Sequence, residues 1–246
     1  MRSASSKKVV TILIPTRFDS RYMLELCLET IKKYTDYPHK IIVGDAGVDD
    51  ATKSFLASRK DLTIVKPEDP YMPKDSMIQY VDTPYFCFLH DDVHIMKKNW
   101  LSKRVALMEK NPKNAVVGPV VANFIYGWRS HFLYKRSMRR FWPLALLVRT
   151  DVQKELSLHW GIVMGELENF DTGGMAYQQF MKQKKYRFVP CDFRPDVRHF
   201  GNMTWLVKNK MEWEKINDKN AGTDPRWQKR DELMKTIKQI LESKNF

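Results

Sequence analysis

The chain has 246 residues, 43% of them hydrophobic and 12% aromatic, and a formal net charge of +13. That length and apolar content exclude a disordered chain and predict a full hydrophobic core. Cys27, Cys87 and Cys191 are far apart and show neither zinc spacing nor a paired framework, and residues 1–8 are polar with no apolar run behind them; reduced, buried thiols and a cytoplasmic chain without signal peptide or membrane span are expected.

In chain order, Val9 to Pro15 is a near-continuous β-branched run, as in a strand buried on both faces, with Pro15 expected to end it. Leu24, Cys27, Leu28 and Ile31 follow at helical spacing. Lys40 to Gly44 reads as a second strand with a turn at Asp45-Ala46-Gly47, Ala51 to Ser58 as a helix, and Leu62 to Val65 as a third strand. Residues 66–76, with three prolines, read as a loop that carries Lys74. Tyr85 to Leu89 is a buried strand introduced by Thr83-Pro84, and Trp100 to Glu109 is a helix. Strands are further predicted at Asn114 to Val121, Leu144 to Val148 and Tyr186 to Val189, and helices from Asp151, over Gly173 to Lys185, and over the tail from Thr223. The alternation predicts an α/β fold with a mostly parallel central sheet flanked by helices.

Ligands of such sheets bind outside the carboxyl ends of the strands. Thr16 and Arg17 follow the first strand, Asp45 the second, and His90-Asp91-Asp92-Val93-His94 the fourth. Two adjacent carboxylates at a strand mouth suit a hard divalent cation, although Asp is also an ordinary turn residue. No glycine-rich dinucleotide fingerprint and no phosphate-binding loop follows the first strand. Residues 1–125 hold 19 Lys+Arg and 15 Asp+Glu, residues 126–246 hold 23 and 14, so the excess positive charge lies mostly in the second half. That excess suits a solvated basic surface, anionic lipid at a peripheral membrane contact, or an acidic acceptor; with no nucleic-acid signature, no nucleic-acid partner is expected.

Val10 to Arg17, then Ile41 to Gly47, then Phe86 to Val93, in that order, resemble the GT-A glycosyltransferases of the large family 2 type, over roughly residues 9–205. The resemblance implies a GT-A, Rossmann-like nucleotide-binding fold, a nucleotide-diphosphate sugar as donor, and Mn2+ or Mg2+ as cofactor. It implies that Thr16 lies near the nucleoside, that Asp45 contacts the base, that Asp91 serves the ribose or the metal shell, and that Asp92 binds the metal. Arg198-His199-Phe200-Gly201 resembles the family's late His segment, which makes His199 a candidate second metal ligand. Glu166 to Gly174 occupies the place of the acidic acceptor motif without its usual Glu-Asp pair, so Asp171 is the candidate catalytic base, with Glu168 as rival and helix capping as the alternative role. Lys74 is a candidate phosphate contact.

His90 and His94 flank the acidic pair but fall where strand alternation places structural or supporting groups, and neither is expected as a ligand. Trp128, Trp142, Trp160 and Trp205 lie in the half expected to hold the acceptor; most Trp residues are core, and one or two are expected to line a pocket. The expected organisation is a catalytic domain over 1–205, with a nucleotide-sugar and metal half at 9–125 and an acceptor half at 126–205, and a basic helical extension at 206–246 packed on it. The expected activity is a metal-dependent inverting transfer of a sugar to a hydroxyl of a glycan, lipid-linked or protein acceptor. A sugar-nucleotide nucleotidyltransferase and a non-enzymatic binder of polyanions or membrane surfaces are the alternatives.

Overall fold

The apolar runs become the middle of a seven-stranded sheet. The computed structural model describes residues 9–69, 72–122, 139–164, 169–170, 172–200 and 225–244. The first part of the chain forms β1 (Val10–Phe18), α1 (Arg21–Tyr34), β2 (His39–Val48), α2 (Asp50–Ser58), β3 (Thr63–Val65), α3 (Pro73–Ile78), β4 (Tyr85–Phe88), β5 (Val93–Ile95), α4 (Trp100–Glu109), β6 (Asn114–Gly118) and β7 (Val120–Ala122). Then come β8 (Arg139–Phe141), β9 (Leu146–Arg149), α5 (Thr150–Leu156), β10 (Val163–Met164), β11 (Asn169–Phe170), α6 (Gly174–Lys182), β12 (Arg187–Pro190), β13 (Val197–His199) and α7 (Pro225–Ser243).

The sheet order is β12-β6-β9-β4-β1-β2-β3. β4, β1, β2 and β3 are mutually parallel, β12 and β6 are parallel, and β9 runs antiparallel between β4 and β6. Side chains alternate across it, as strand geometry requires. Ile12, Ile14, Cys87 and Leu147 face a core built with α1 and α4. Leu13, Phe86, Phe88, Leu146 and Val148 face the other, with Met77, Phe141, Trp160 and Phe180. All three cysteines are buried and free.

Pro15 does not end β1, which continues to Phe18. The reason is local. β4 pairs only with Val10–Leu13, and Leu13 O accepts from Leu89 N, so by alternation the missing N–H of Pro15 points to the side where no strand is paired. Lys74 is likewise not in a loop but in the first turn of α3, whose Pro73 suits a helix start. Three further elements carry no clear periodicity and are visible only in three dimensions: β8, which pairs with β7, and the antiparallel ribbon of β5 and β13.

That ribbon is braced from below. Arg104 of α4 is fully buried; its Nε donates to Ala145 O at 2.9 Å and its Nη1 lies 3.4 Å from Asp196 Oδ2. Asp196, just before β13, is 2% exposed, and its carbonyl accepts from Met96 N at 2.9 Å. Among the described residues no helix is long and apolar enough to cross a membrane. α7 lays Met234 and Ile237 on Met23 and Leu26 of α1. Removing the carboxylate leaves the Arg104 guanidinium buried without its counter-charge. Asp196→Ala is therefore expected to lower stability by about 3–5 kcal/mol, read as a fall in the urea midpoint with an unchanged slope.

Candidate active site

β1 and β4 end side by side at the same edge of the sheet. Beyond β4 the chain turns at Asp91-Asp92 and returns as β5. β5 then pairs with β13 in the register Val93↔His199, His94↔Arg198 and Ile95↔Val197, and Phe200 N donates to Asp92 O at 3.0 Å. This ribbon delivers His199 to Asp92 from a distant part of the chain.

Asp91 and Asp92 are each only 4% exposed. Thr16 Oγ1 donates to Asp91 Oδ2 at 2.6 Å. Burial first, then the charge of Asp92, pushes the Asp91 carboxyl up to about 6, against the opposing hydroxyls of Thr16 and Ser20. Burial also pushes Asp92 up, but the neighbouring imidazoles of His199 and His90 outweigh it and hold Asp92 below its ordinary value. Two adjacent buried carboxylates thus diverge according to what each faces.

Three side chains converge on one point. His199 Nε2 lies 3.1 Å from Asp92 Oδ1, His90 Nδ1 lies 3.9 Å from the same oxygen, and the two imidazole nitrogens are 3.3 Å apart. The orientation of His199 is not that of a hydrogen bond, and Asp92 Oδ1 is buried with no hydrogen-bond partner among the described residues. Such an oxygen costs about 1–3 kcal/mol if left unsatisfied. A divalent ion about 2.1 Å from each of three ligand atoms sets adjacent ligands about 3.0–3.4 Å apart; two of the three separations lie in that range and the third, His90 to Asp92, is 3.9 Å. His90, Asp92 and His199 therefore fit a divalent cation. Burial, and then the charge of Lys74, push His90 down to about 3, so its nitrogen lone pair is available. Cys27 Sγ approaches His90 O at 3.5 Å from beneath.

The other expected residues gather around this corner unequally. Thr16 stands opposite Asp45 in the β1–β2 register. Asp45 Oδ1 accepts from Gly47 N at 3.0 Å and Val48 N at 3.1 Å, which closes the end of β2 around Gly47 at φ +99°. Lys74 is near enough for its charge to act on His90. Asp171 and Glu168 lie outside the described residues. Directly after Asp171 the chain is anchored: Arg140 Nη1 donates to Thr172 O at 2.9 Å, and Gly173 N donates to Trp160 O at 3.0 Å.

His90 is the residue that sequence reasoning set aside. It was read by strand alternation, but β4 ends at Phe88, so alternation no longer applies at His90. Its direct neighbour Asp91 was the available signal. Asp75 carried no signal: its two oxygens accept from Trp160 N at 2.8 Å and Gly161 N at 2.9 Å, with His159 Nδ1 at 3.2 Å, fixing the segment before β10. Of the tryptophans, Trp160 is core, Trp142 packs edge-on against His199 at 5.5 Å, and Trp128 and Trp205 lie outside the described residues.

Residues 11–164 match the model of the family described as Glycosyl transferase family 2. The chain belongs to that family. The fold is also that of solved structures. A mannosyltransferase from Pyrobaculum calidifontis, in complex with GDP-Man and Mn2+, is 16% identical with a TM-score of 0.54, over 87% of this chain and 66% of that one. Residues 1–349 of TarS from S. aureus are 15% identical with a TM-score of 0.53, over 82% of this chain and 63% of that one. The same protein in complex with UDP-GlcNAc is 16% identical with a TM-score of 0.51, over 75% and 58%. The chain thus spans less than two thirds of the length of these structures. No curated protein sequence matches it. The central sheet confirms the expected GT-A architecture, mostly parallel and flanked by helices.

The raised Asp91 makes a pH prediction for the metal-free protein. A carboxyl shifted up on folding costs stability once it ionises, so the cost is absent near pH 4 and complete above pH 6. Asp91→Asn, in EDTA, is expected to be more stable than wild type at pH 7.5 by on the order of 2 kcal/mol. The gap should close as the pH falls to about 4, followed by thermal melts across that range.

Proposed function

We propose that the chain is a metal-dependent inverting glycosyltransferase, moving a sugar from a nucleotide-diphosphate donor to a hydroxyl of a glycan or related acceptor. The carrying observation is the convergence of His90, Asp92 and His199 around a buried, unsatisfied carboxylate oxygen at the carboxyl edge of the sheet. Family membership and the nucleotide-sugar complexes of the structural relatives support the donor class.

His90, Asp92 and His199 hold the cation in this reading. When bound, it neutralises the donor diphosphate, which is worth several kcal/mol to its departure. Thr16 orients Asp91, which serves the ribose, while Asp45 faces the base. Lys74 adds a positive charge for the phosphates, from a helix that Asp75 ties to the acceptor side. Asp171 takes the proton of the acceptor hydroxyl as that oxygen attacks the anomeric carbon. The new carbon–oxygen bond forms on the face opposite the breaking bond to the diphosphate, so the configuration inverts.

Two imidazoles beside a single carboxylate also set the preference among cations. Nitrogen ligands favour transition ions, whereas Mg2+ is held by oxygen and keeps its waters. Mn2+ is expected to bind at least about tenfold more tightly than Mg2+, measured by calorimetry without donor. His90→Asp should shrink the difference, and Asp92→Ala should abolish metal-dependent stabilisation by UDP, GDP or dTDP in a thermal-shift panel. A panel with no response to any nucleotide with Mn2+ would end the reading. Asp171→Asn is expected to retain nucleotide binding while turnover falls by about 10²–10⁴-fold; full turnover would remove Asp171 as the base.

A further inference from the structure

A second feature lies next to the metal corner, on the far side of Trp142. The edge strand β12, the end of β6, the β7–β8 pair and α6 enclose an open cavity of about 1030 Å³. Trp142 is the shared wall: its ring meets Phe193 at 5.0 Å and His199 at 5.5 Å. Tyr177 and Phe188 also line the cavity. Both are held from behind by the fully buried Phe141, at 5.1 and 5.2 Å. The aromatic surface is therefore anchored in the core.

The charges of the lining are unbalanced. Among the described residues it contains Arg139, Arg187 and Arg194, with Asp192 as the one carboxylate. Asp192 is already taken by Arg194, through bonds of 2.8–3.1 Å from Nε and Nη2. Arg139 and Arg187 are exposed, and among the described residues neither meets a carboxylate. Several other guanidiniums are paired: Arg21 with Glu25, Arg59 with Glu29 and Asp61, Arg104 with Asp196, and Arg149 with Asp151. Two uncommitted guanidiniums over fixed aromatic faces match a ring that carries an acidic group. The volume reaches the top of the range of about 300–1,000 Å³ usual for ligand sites, enough for more than one ring.

We propose that this cavity binds an anionic oligosaccharide, its rings against Trp142 and its carboxylate or phosphate groups on Arg139 and Arg187, and that this saccharide is the acceptor. The acceptor role rests on the glycosyl-transfer reading; the binding specificity does not. It places the acceptor beside His199, with its reactive end towards the cation and its acidic groups outward.

The test is equilibrium binding to the full chain at 0.15 M salt. The probes are a hyaluronan tetrasaccharide, its carboxyl-reduced neutral form, and a mannobiose with and without a 6-phosphate. Each acidic probe is expected to bind about tenfold or more tightly than its neutral counterpart, and Arg139→Ala and Arg187→Ala to weaken it about three- to tenfold each. A larger response to one acidic probe identifies carboxylate or phosphate as the group recognised. The double variant should lose the preference while keeping its thermal-shift response to nucleotide with Mn2+. A remote control, Lys53→Ala with Lys60→Ala, removes the same charge around α2, towards the sheet edge opposite β12, and should leave saccharide binding unchanged. Equal affinity for acidic and neutral probes overturns the proposal, as does full affinity in the Arg double variant or an equal loss in the Lys control. If nucleotide binds but acidic saccharide does not, this proposal fails alone. If acidic saccharide binds but no nucleotide does, the cavity stands and the reading that made its ligand an acceptor falls.

Discussion

Two like charges buried side by side are the constraint around which this structure is arranged. Asp91 and Asp92 sit at the mouth of the most buried strand, where water cannot dissipate their repulsion. The surroundings treat them differently. Asp91 receives the Thr16 hydroxyl from the neighbouring strand, and Asp92 receives two imidazoles. β1 must run on past Pro15 to bring Thr16 there, and the β5–β13 ribbon must form to bring His199. One oxygen of Asp92 is left buried with no hydrogen-bond partner among the described residues, and the groups around it fit a cation.

The supporting structure follows from that demand. β13 is short and would fray alone. It is fixed by its register with β5, by Phe200 N on Asp92 O, and by the buried pair of Arg104 and Asp196 beneath it. On the opposite flank, Phe141 contacts Trp160, Tyr177, Phe180 and Phe188, which anchors the aromatic lining of the cavity in the core. The candidate site residues Asp92 and His199 are thus borne on elements whose positions are set by burial, as precise geometry requires.

The central strands and long helices were legible because burial writes a period into the sequence. The β-branched run of β1 and the i, i+3, i+4, i+7 spacing in α1 each report their buried faces directly. The acidic pair was legible because carboxylates at a strand end have few other uses. What stayed hidden depends on contacts between distant segments. β5, β8 and β13 are three residues each, too short for any period to register. The grouping of His90 with Asp92 and His199 was not legible, because β4 stops at Phe88 and strand alternation does not extend to residue 90. The contacts of Asp75, and the lack of a carboxylate at Arg139 and Arg187 among the described residues, are properties of what lies near in space, and no window of sequence contains them.

The reversed strand β9 has a further consequence, for the order of assembly. It alone joins β6 to β4, so β6, although made earlier and packed on α4, has no strand linking it to the rest of the sheet until residues 146–149 have left the ribosome. Until then the nascent chain holds a four-stranded fragment with the open edge of β4 exposed, rich in Phe86 and Phe88. Closing that seam requires a long loop to be drawn in first, which slows folding and leaves an adhesive edge meanwhile. The same inserted strand that unites the two parts of the sheet in the finished molecule is its point of vulnerability during synthesis.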